Sequence, residues 1–526
     1  MSILKRKELL FLPFFVGLFL IACSWYSSYP LSVNSVDDFV FNNISILYWF
    51  GLPLLLASMY LIAITFKNVY LKWIMVIGIL LSIYSIYYFY NALPTSDANY
   101  FRGLNEYFAE TGNLDYSQPA KTYFQWPSLF LLSNVLTLVT GIELINIEFI
   151  MFTVIAIFIA TNLFLYASDS YKNSGYIVVV VFFLAMFYYL NFQFAPFTLS
   201  FGLLILLIIL TNKPLTFGTT VTILILFIYM TITHLYVPIF FVIFTIVSAI
   251  LNRSKRFSIL SLLTVNIFLI YQMTLAQYHF FGNIQKLINR APSEFNFSSM
   301  ITIKPTTTLI DSISQSFNTI VLVSTILFCL LGFILILIRR KMRNSDIAIF
   351  FVGVIYFGIG TMFYLLGSRA IPVAFIPVSL GAAYLFQSKF KFLWKMLLLI
   401  LLILFSFVPL HNAFYNRDVF FQTEETYAGE NFFINNYNWT QTDLILASYR
   451  VADYFETRLP EITHFDRYLL TIIDNKVVLS EFRVLFYTTG FGWQTRDLNT
   501  TIHSIITEGR LNMFYNNGFS IIATKP

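Results

Sequence analysis

Between Leu93 and Pro127 the chain gathers carboxylates, cations and aromatic rings in one short polar stretch. It opens Leu93-Pro94-Thr95-Ser96-Asp97-Ala98-Asn99-Tyr100 and runs through Arg102, Glu106, Glu110, Gly112 and Asp115-Tyr116. It closes Pro119-Ala120-Lys121-Thr122-Tyr123-Phe124-Gln125-Trp126-Pro127. A carboxylate in such a setting can take a proton from a reacting hydroxyl, and arginine or lysine can steady an anionic leaving group. Elsewhere His234, His279, Glu148 and Arg369 stand beside apolar runs. Plainer roles compete: Asp97 as the N-cap acceptor of a helix, Trp126 as an interfacial anchor, His234 as a satisfied histidine at a helix end, and Arg369 as an arginine reaching headgroup phosphates.

These groups act together only if the surrounding elements bring them to one side of a membrane. Of the 526 residues, 58% are hydrophobic and 11% charged, with a mean hydropathy of +0.75; soluble domains carry about a quarter charged residues. A soluble enzyme is excluded. Apolar runs predict about 13 spans, near 9–29, 46–66, 70–92, 145–167, 175–192, 195–211, 216–232, 233–251, 257–279, 318–338, 345–366, 369–386 and 391–409. The pairs 175–211 and 216–251 are tight enough for each to be one bent element. The two cysteines, Cys23 and Cys329, lie inside apolar runs, which argues against a disulfide framework, a CxxC metal site or redox chemistry. The net charge of +6 is spread over short loops, so it carries topology information and points to no nucleic-acid partner.

Lysine and arginine in short loops mark the cytoplasmic side. Lys5-Arg6-Lys7, the clusters around Arg253 and Arg339, and Lys389 with Lys391 agree on a cytoplasmic N-terminus and an extracytoplasmic C-terminal segment. Counting from both directions puts 93–126 and residue 145 on the same outer side, so Pro127–Gly141 cannot span. At about 15 residues it measures roughly 22 Å as a helix, short of a hydrocarbon core of about 30 Å. It suits a helix lying in the interface, with Pro127 in its first turn and Gly141 as its cap. Residues 98–111 predict a second, amphipathic helix ending near Gly112. Its Tyr100, Leu104, Tyr107 and Phe108 would lie in the interface, with Arg102, Glu106 and Glu110 on the wet face.

The expected fold is therefore an all-α polytopic membrane protein with a large first outer loop and a small C-terminal α/β extracytoplasmic domain. Residues 1–69 form an extra N-terminal hairpin. Residues 70–409 form the main transmembrane domain, with outer loops 93–144 and 280–317, and 410–526 form the external domain. Within the last, a helix is expected over Glu424–Asn435, a strand near Val477–Phe486, and a hairpin at Asn517-Gly518. The span centres are nearly free of ionisable groups, which argues against an ion-coupled transporter.

The order of Asp97, Gly112 and Gln125-Trp126-Pro127 resembles the first outer loop of GT-C glycosyltransferases, especially their aminoarabinose-transferring and protein-mannosylating members. Ala195-Pro196-Phe197-Thr198-Leu199-Ser200, Thr233-His234 and Gly367-Ser368-Arg369-Ala370 look similar to further elements of that superfamily. The resemblance covers residues 70–410. It implies an outer-face transferase that moves a sugar from a polyprenyl-phosphate donor to a glycan, lipid or protein acceptor in a multi-pass plasma-membrane protein. It also implies roles. Asp97 would be the general base of an inverting displacement; Arg369, His234, Arg102 and Lys121 would hold the donor phosphate. Tyr100, Tyr123, Gln125 and Trp126 would contact the sugar. No cofactor is called for, no metal ligand is assigned, and whether a divalent metal assists stays open.

The sequence also departs from the family. Asp97 is followed by Ala98, where the family often shows a second acidic residue; Asp37-Asp38 is a rival pair without the downstream elements. The external domain has no Trp-Trp-Asp-type or DxD-like motif, which disfavours a metal-dependent oligosaccharyltransferase. The alternatives are a flippase, polymerase or ligase of lipid-linked glycans, and a noncatalytic membrane scaffold. A flippase defect would trap lipid-linked substrate on the inner face, whereas a transferase defect would leave it outside.

Overall fold

The computed structural model describes residues 8–28, 44–89, 93–94, 96–114, 123–171, 174–190, 194–277, 280–281, 309–339, 341–362, 367–387 and 391–415, together with strand residues 421–422, 445–447, 465–466, 484–488, 512–516 and 520–524. Helices α1 (Phe11–Ser28), α2 (Ile46–Thr65) and α3 (Val69–Phe89) lead to a short strand β1 (Leu93–Pro94). Then come α4 (Ser96–Thr111) and α5 (Ser128–Thr140), followed by α6 (Leu144–Tyr171), α7 (Gly175–Leu190), α8 (Pro196–Thr211), α9 (Phe217–Thr233), α10 (Tyr236–Asn252) and α11 (Lys255–Thr274). The last helices are α12 (Leu309–Ile338), α13 (Asn344–Met362), α14 (Gly367–Phe386) and α15 (Lys391–Tyr415).

A helix stands at every predicted apolar run. Helices α2, α6, α11 and residues 320–338 of α12 are long and apolar enough to cross a membrane by length and composition. Large apolar side chains face outward along the bundle, among them Leu12, Phe19, Ile225, Ile270 and Ile338. In water such a surface would be abnormal; against lipid it is the expected exterior. The chain is an integral membrane protein.

Several boundaries differ from expectation: α12 starts at Leu309 rather than near 318, α6 and α15 run to Tyr171 and Tyr415 rather than 167 and 409, and α11 ends at Thr274 rather than 279. Adding a turn to an existing helix is inexpensive, so a helix can outlast the apolar run that marks it in sequence. The two tight pairs are each two helices. Ala195 is extended (φ −148°, ψ 146°) before Pro196 at the start of α8, and His234 is extended (φ −157°, ψ 148°) between α9 and α10.

Helix α14 lies centrally, packed on α7, α12 and α13. Its approach to α12 depends on small residues: a methyl built on Gly332 would overlap the Gly381 carbonyl, and one on Gly381 would overlap the Cys329 carbonyl. The α1–α2 hairpin closes similarly at Gly17 and Gly51 and joins the bundle through α3 and α15. Backbones packed this closely gain dispersion contacts that lipid tails cannot supply.

After α15, strands β2 (Phe421–Gln422), β3 (Ile445–Ala447), β4 (Phe465–Asp466), β5 (Val484–Thr488), β6 (Asn512–Asn516) and β7 (Ser520–Thr524) follow. Five of them form a mixed sheet in the order β4-β3-β5-β7-β6, with β3 parallel to both neighbours and β7 antiparallel to both of its own. Residues 517–519, with Asn517-Gly518, join β6 to β7. The expected helix at 424–435 lies outside the described residues. Strand β2 leaves this sheet and pairs antiparallel with β1, Leu93 opposite Gln422 and Pro94 opposite Phe421. The entrance to the 93–144 stretch is thereby hydrogen-bonded to the segment that follows α15.

Candidate functional site

Helix α4 begins directly after β1, and Asp97 stands in its first turn, where a negative charge complements the helix dipole. The helix starts earlier than the sequence predicts, so Asp97 lies inside the first turn rather than preceding it as a cap. Gly112, at φ +65°, ends it with its N–H on the Phe108 carbonyl at 2.8 Å. Only glycine adopts that left-handed conformation readily.

The wet face expected for α4 is only partly wet. Glu110 is exposed, but Arg102 is 3% exposed, and its Nε donates to Glu106 Oε1 at 2.9 Å. Phe101, Leu104 and Asn105 are buried beside it. Arg102, expected on the wet face, is buried instead. Helix α5 and the start of α6 pack over α4, and a buried arginine is tolerated because a carboxylate lies within hydrogen-bond distance.

Helix α5 follows a short 3₁₀ turn at residues 123–125 and ends at Gly141, which at φ +70° gives its N–H to the Thr137 carbonyl at 2.9 Å. Thirteen residues make about 20 Å of helix, too short to cross. Its faces are inverted relative to a helix in water. Leu138 and Val139 are 83% and 79% exposed, whereas Ser133 and Asn134 are buried. An apolar outer face over a polar inner face suits a helix at the lipid boundary that covers polar groups.

Those polar groups form one connected set. Asn105 Nδ2 donates to Glu148 Oε1 at 2.8 Å, while Asn105 Oδ1 accepts from Ser133 Oγ at 2.8 Å and Asn134 Nδ2 at 2.7 Å. Both Ser133 and Asn134 also donate to the Phe130 carbonyl, at 3.0 and 2.9 Å. Glu148 is fully buried in the first turns of α6. Three helices thus meet on one asparagine. Sequence reasoning noted Glu148 but missed Asn105, Ser133 and Asn134. The signal was present: two adjacent polar residues interrupt an otherwise apolar interfacial helix.

An aromatic cluster covers the other side of α4. Tyr123 lies 5.7 Å from Tyr100, 5.0 Å from Phe101 and 6.0 Å from Trp126, each ring edge to face. Tyr100 and Tyr123 are half-buried, but Trp126 and Gln125 are only 1% and 2% exposed. Gln125 and Trp126, expected as sugar contacts, are thus placed beneath protein while the two tyrosines stay partly open. Their turn is anchored: Tyr271 of α11 donates its hydroxyl to the Gln125 carbonyl at 2.6 Å, and Ser128 and Thr233 hydroxyls lie 2.5 Å apart.

His234 is likewise buried, at 1% exposure. Its N–H closes α9 on the Met230 carbonyl at 3.1 Å, and its Nδ1 accepts from the Tyr236 N–H at 3.1 Å to open α10. His234 thus joins the end of α9 to the start of α10. Phe197 packs edge-on against it with centroids 5.6 Å apart, which joins two of the elements singled out in the sequence. Arg369 stands in the first turn of α14. Lys121 and His279 lie outside the described residues. Among the described residues, no group of three or more histidine, cysteine, aspartate or glutamate side chains is arranged to hold a metal ion.

Fold and site together define a polytopic helical membrane protein in which two short helices, α4 and α5, are inserted between α3 and α6 at one end of the bundle. No protein-family model matches this sequence, and no curated protein matches it. Among solved structures, the chain is similar to the crystal structure of ArnT from Cupriavidus metallidurans in the apo state. The TM-score is 0.43 at 8% identity, over 87% of this chain and 98% of that one.

Proposed function

We propose that the protein is a membrane glycosyltransferase of the GT-C type, working at the outer membrane face on a polyprenyl-phosphate-linked sugar. The observation that carries the reading is the setting of Asp97: the first turn of a non-spanning helix, immediately after an apolar helix and a strand paired to the C-terminal segment. In this reading Asp97 takes the proton of an acceptor hydroxyl as that oxygen bonds to the anomeric carbon. The bond from anomeric carbon to phosphate oxygen breaks, and the polyprenyl phosphate departs with the electron pair. Arg369 steadies the departing phosphate from the start of α14, with Lys121 as a second cation. One displacement inverts the anomeric carbon. Tyr100 and Tyr123, the half-buried rings beside α4, supply the sugar contact. The spans, the outer location of 93–144 and the external placement of 410–526 belong to this same proposal.

The test is mass spectrometry of outer-surface glycans and lipid-linked sugars in cells carrying the native protein or Asp97→Asn at equal abundance. Loss of one defined sugar, with its polyprenyl-linked donor accumulating on the outer face, supports the transferase and names its substrates. Unchanged glycans remove Asp97 as the base, and donor trapped on the inner face points instead to a flippase.

A further inference from the structure

We propose that Glu148 is a positioning residue for this chemistry: through Asn105 its carboxylate seats helix α4, and with it Asp97, against the transmembrane bundle. The inference rests on the transferase reading of Asp97, but its structural half stands apart from that reading.

Glu148 Oε1 accepts from the Asn105 NH₂, as a carboxyl oxygen can in either protonation state, and this turns Oδ1 of Asn105 toward α5. Ser133 and Asn134 then donate to that oxygen, so the bonds between helices run in one direction, from α5 through α4 to α6. The direction is imposed by Glu148. Without its carboxylate, the Asn105 NH₂ would be buried and unanswered, and the α5 donors would gain nothing from holding the amide in this orientation.

Burial makes the arrangement stiff. Asn105 and Glu148 are each fully buried, and Ser133 is as well. Glu148 Oε2 has no hydrogen-bond partner among the described residues, so the whole directional contact of the carboxylate with α4 passes through Asn105. Arg102, one turn earlier on α4, is paired with Glu106. Asn105 lies two turns beyond Asp97 on one continuous helix, so any displacement at Asn105 is carried to Asp97 as a rigid shift. Misplacing a catalytic group by about 1 Å costs roughly 100-fold in rate.

The experiment compares Glu148→Gln, Glu148→Leu and Asn105→Ala in the full-length protein, by amide hydrogen exchange and by the amount of sugar transferred in cells at equal abundance. Glutamine keeps an acceptor oxygen at the same reach. Glu148→Gln is expected within about twofold of the parent in both readouts, while Glu148→Leu and Asn105→Ala each lose roughly tenfold or more of transfer. Exchange should rise over 96–111 and stay unchanged over 320–386 in both damaging variants. The double variant should be no worse than Asn105→Ala alone, which already breaks the bond to Glu148 along with those from Ser133 and Asn134. Unchanged exchange over 96–111 in Glu148→Leu overturns the proposal, as does a Glu148→Gln variant as damaged as the leucine one. Loosened α4 with full transfer also overturns it, by separating the seat of α4 from the chemistry. Failure of the transferase reading looks different: Asp97→Asn then changes no glycan, while the exchange data still decide whether Glu148 seats α4.

Discussion

Arg343 grips Asp346 with its guanidinium fork, Nη2 to Oδ1 at 2.8 Å and Nε to Oδ2 at 3.0 Å, at the end of the bundle opposite α4. Tyr166 donates its hydroxyl to the same Oδ1 at 2.5 Å, and its ring lies 5.0 Å beneath the Arg343 guanidinium. Arg343 also reaches Asp169 at 3.2 Å, so α6 is joined to the turn between α12 and α13. Asp346 is 3% exposed. Arg343→Ala leaves that carboxylate buried with the Tyr166 hydroxyl and the backbone N–H of residue 343 as its partners, and a loss of about 2–3 kcal/mol is expected. Thermal unfolding in detergent measures it. Adding Asp346→Asn should recover part of the loss, since the buried charge is then gone; an Arg343→Ala protein with the parent Tm contradicts this account.

The β1–β2 pairing predicts a cross-link. With Cys23 and Cys329 replaced by alanine, Leu93→Cys and Gln422→Cys are expected to form a disulfide under mild oxidant, because they are register partners in an antiparallel pair. A membrane-impermeant thiol reagent applied to intact cells should block both. Blocking of only one would place the two segments on opposite sides of the membrane and refute the pairing.

Glycine at 381 is expected to be irreplaceable. A Cβ there meets the backbone of α12, which cannot turn aside as a side chain can. Gly381→Val should lower both membrane yield and Tm, with an overpacking cost of about 1–3 kcal/mol or more. Gly218→Ala is the control, since nothing lies within 4 Å of its added methyl. It should match the parent in both measurements.

Arg369 is expected to separate charge from geometry. Under the proposed mechanism, Arg369→Ala should cut transfer by roughly 100-fold, as for the loss of one donor to a developing anion, with donor accumulating outside. Arg369→Lys should restore only part, because a lysine ammonium lacks the planar fork that fits two phosphate oxygens. Equal, full transfer by all three proteins, read by mass spectrometry of surface glycans, removes Arg369 from the site.

Much of the helical order was legible before any tertiary information. Apolar runs are local, and the sidedness counted from the charged loops, together with its shortness, sets Pro127–Gly141 apart from the expected spans. Gly112 and Gly141 announce the ends of α4 and α5 because a left-handed backbone is itself a local requirement. The inserted pair of short helices, and the position of Asp97 at the start of the first, follow from these local rules.

Which faces meet was decided only in three dimensions. In water, amphipathic periodicity tells the buried side of a helix from the wet side. In a bilayer the exterior is as apolar as the core, so a helix such as α7 is apolar nearly all round and periodicity loses that information. The same ambiguity misled the reading of α4, where Arg102 and Glu106 recur at helical spacing yet Arg102 is buried and Glu106 only partly exposed. Trp126 looked like a surface anchor until its neighbours closed over it. Asn105 and Glu148 are 43 positions apart, and no local propensity links them. Their bond exists because burying either polar group alone would be costly, and only the folded bundle puts one within reach of the other.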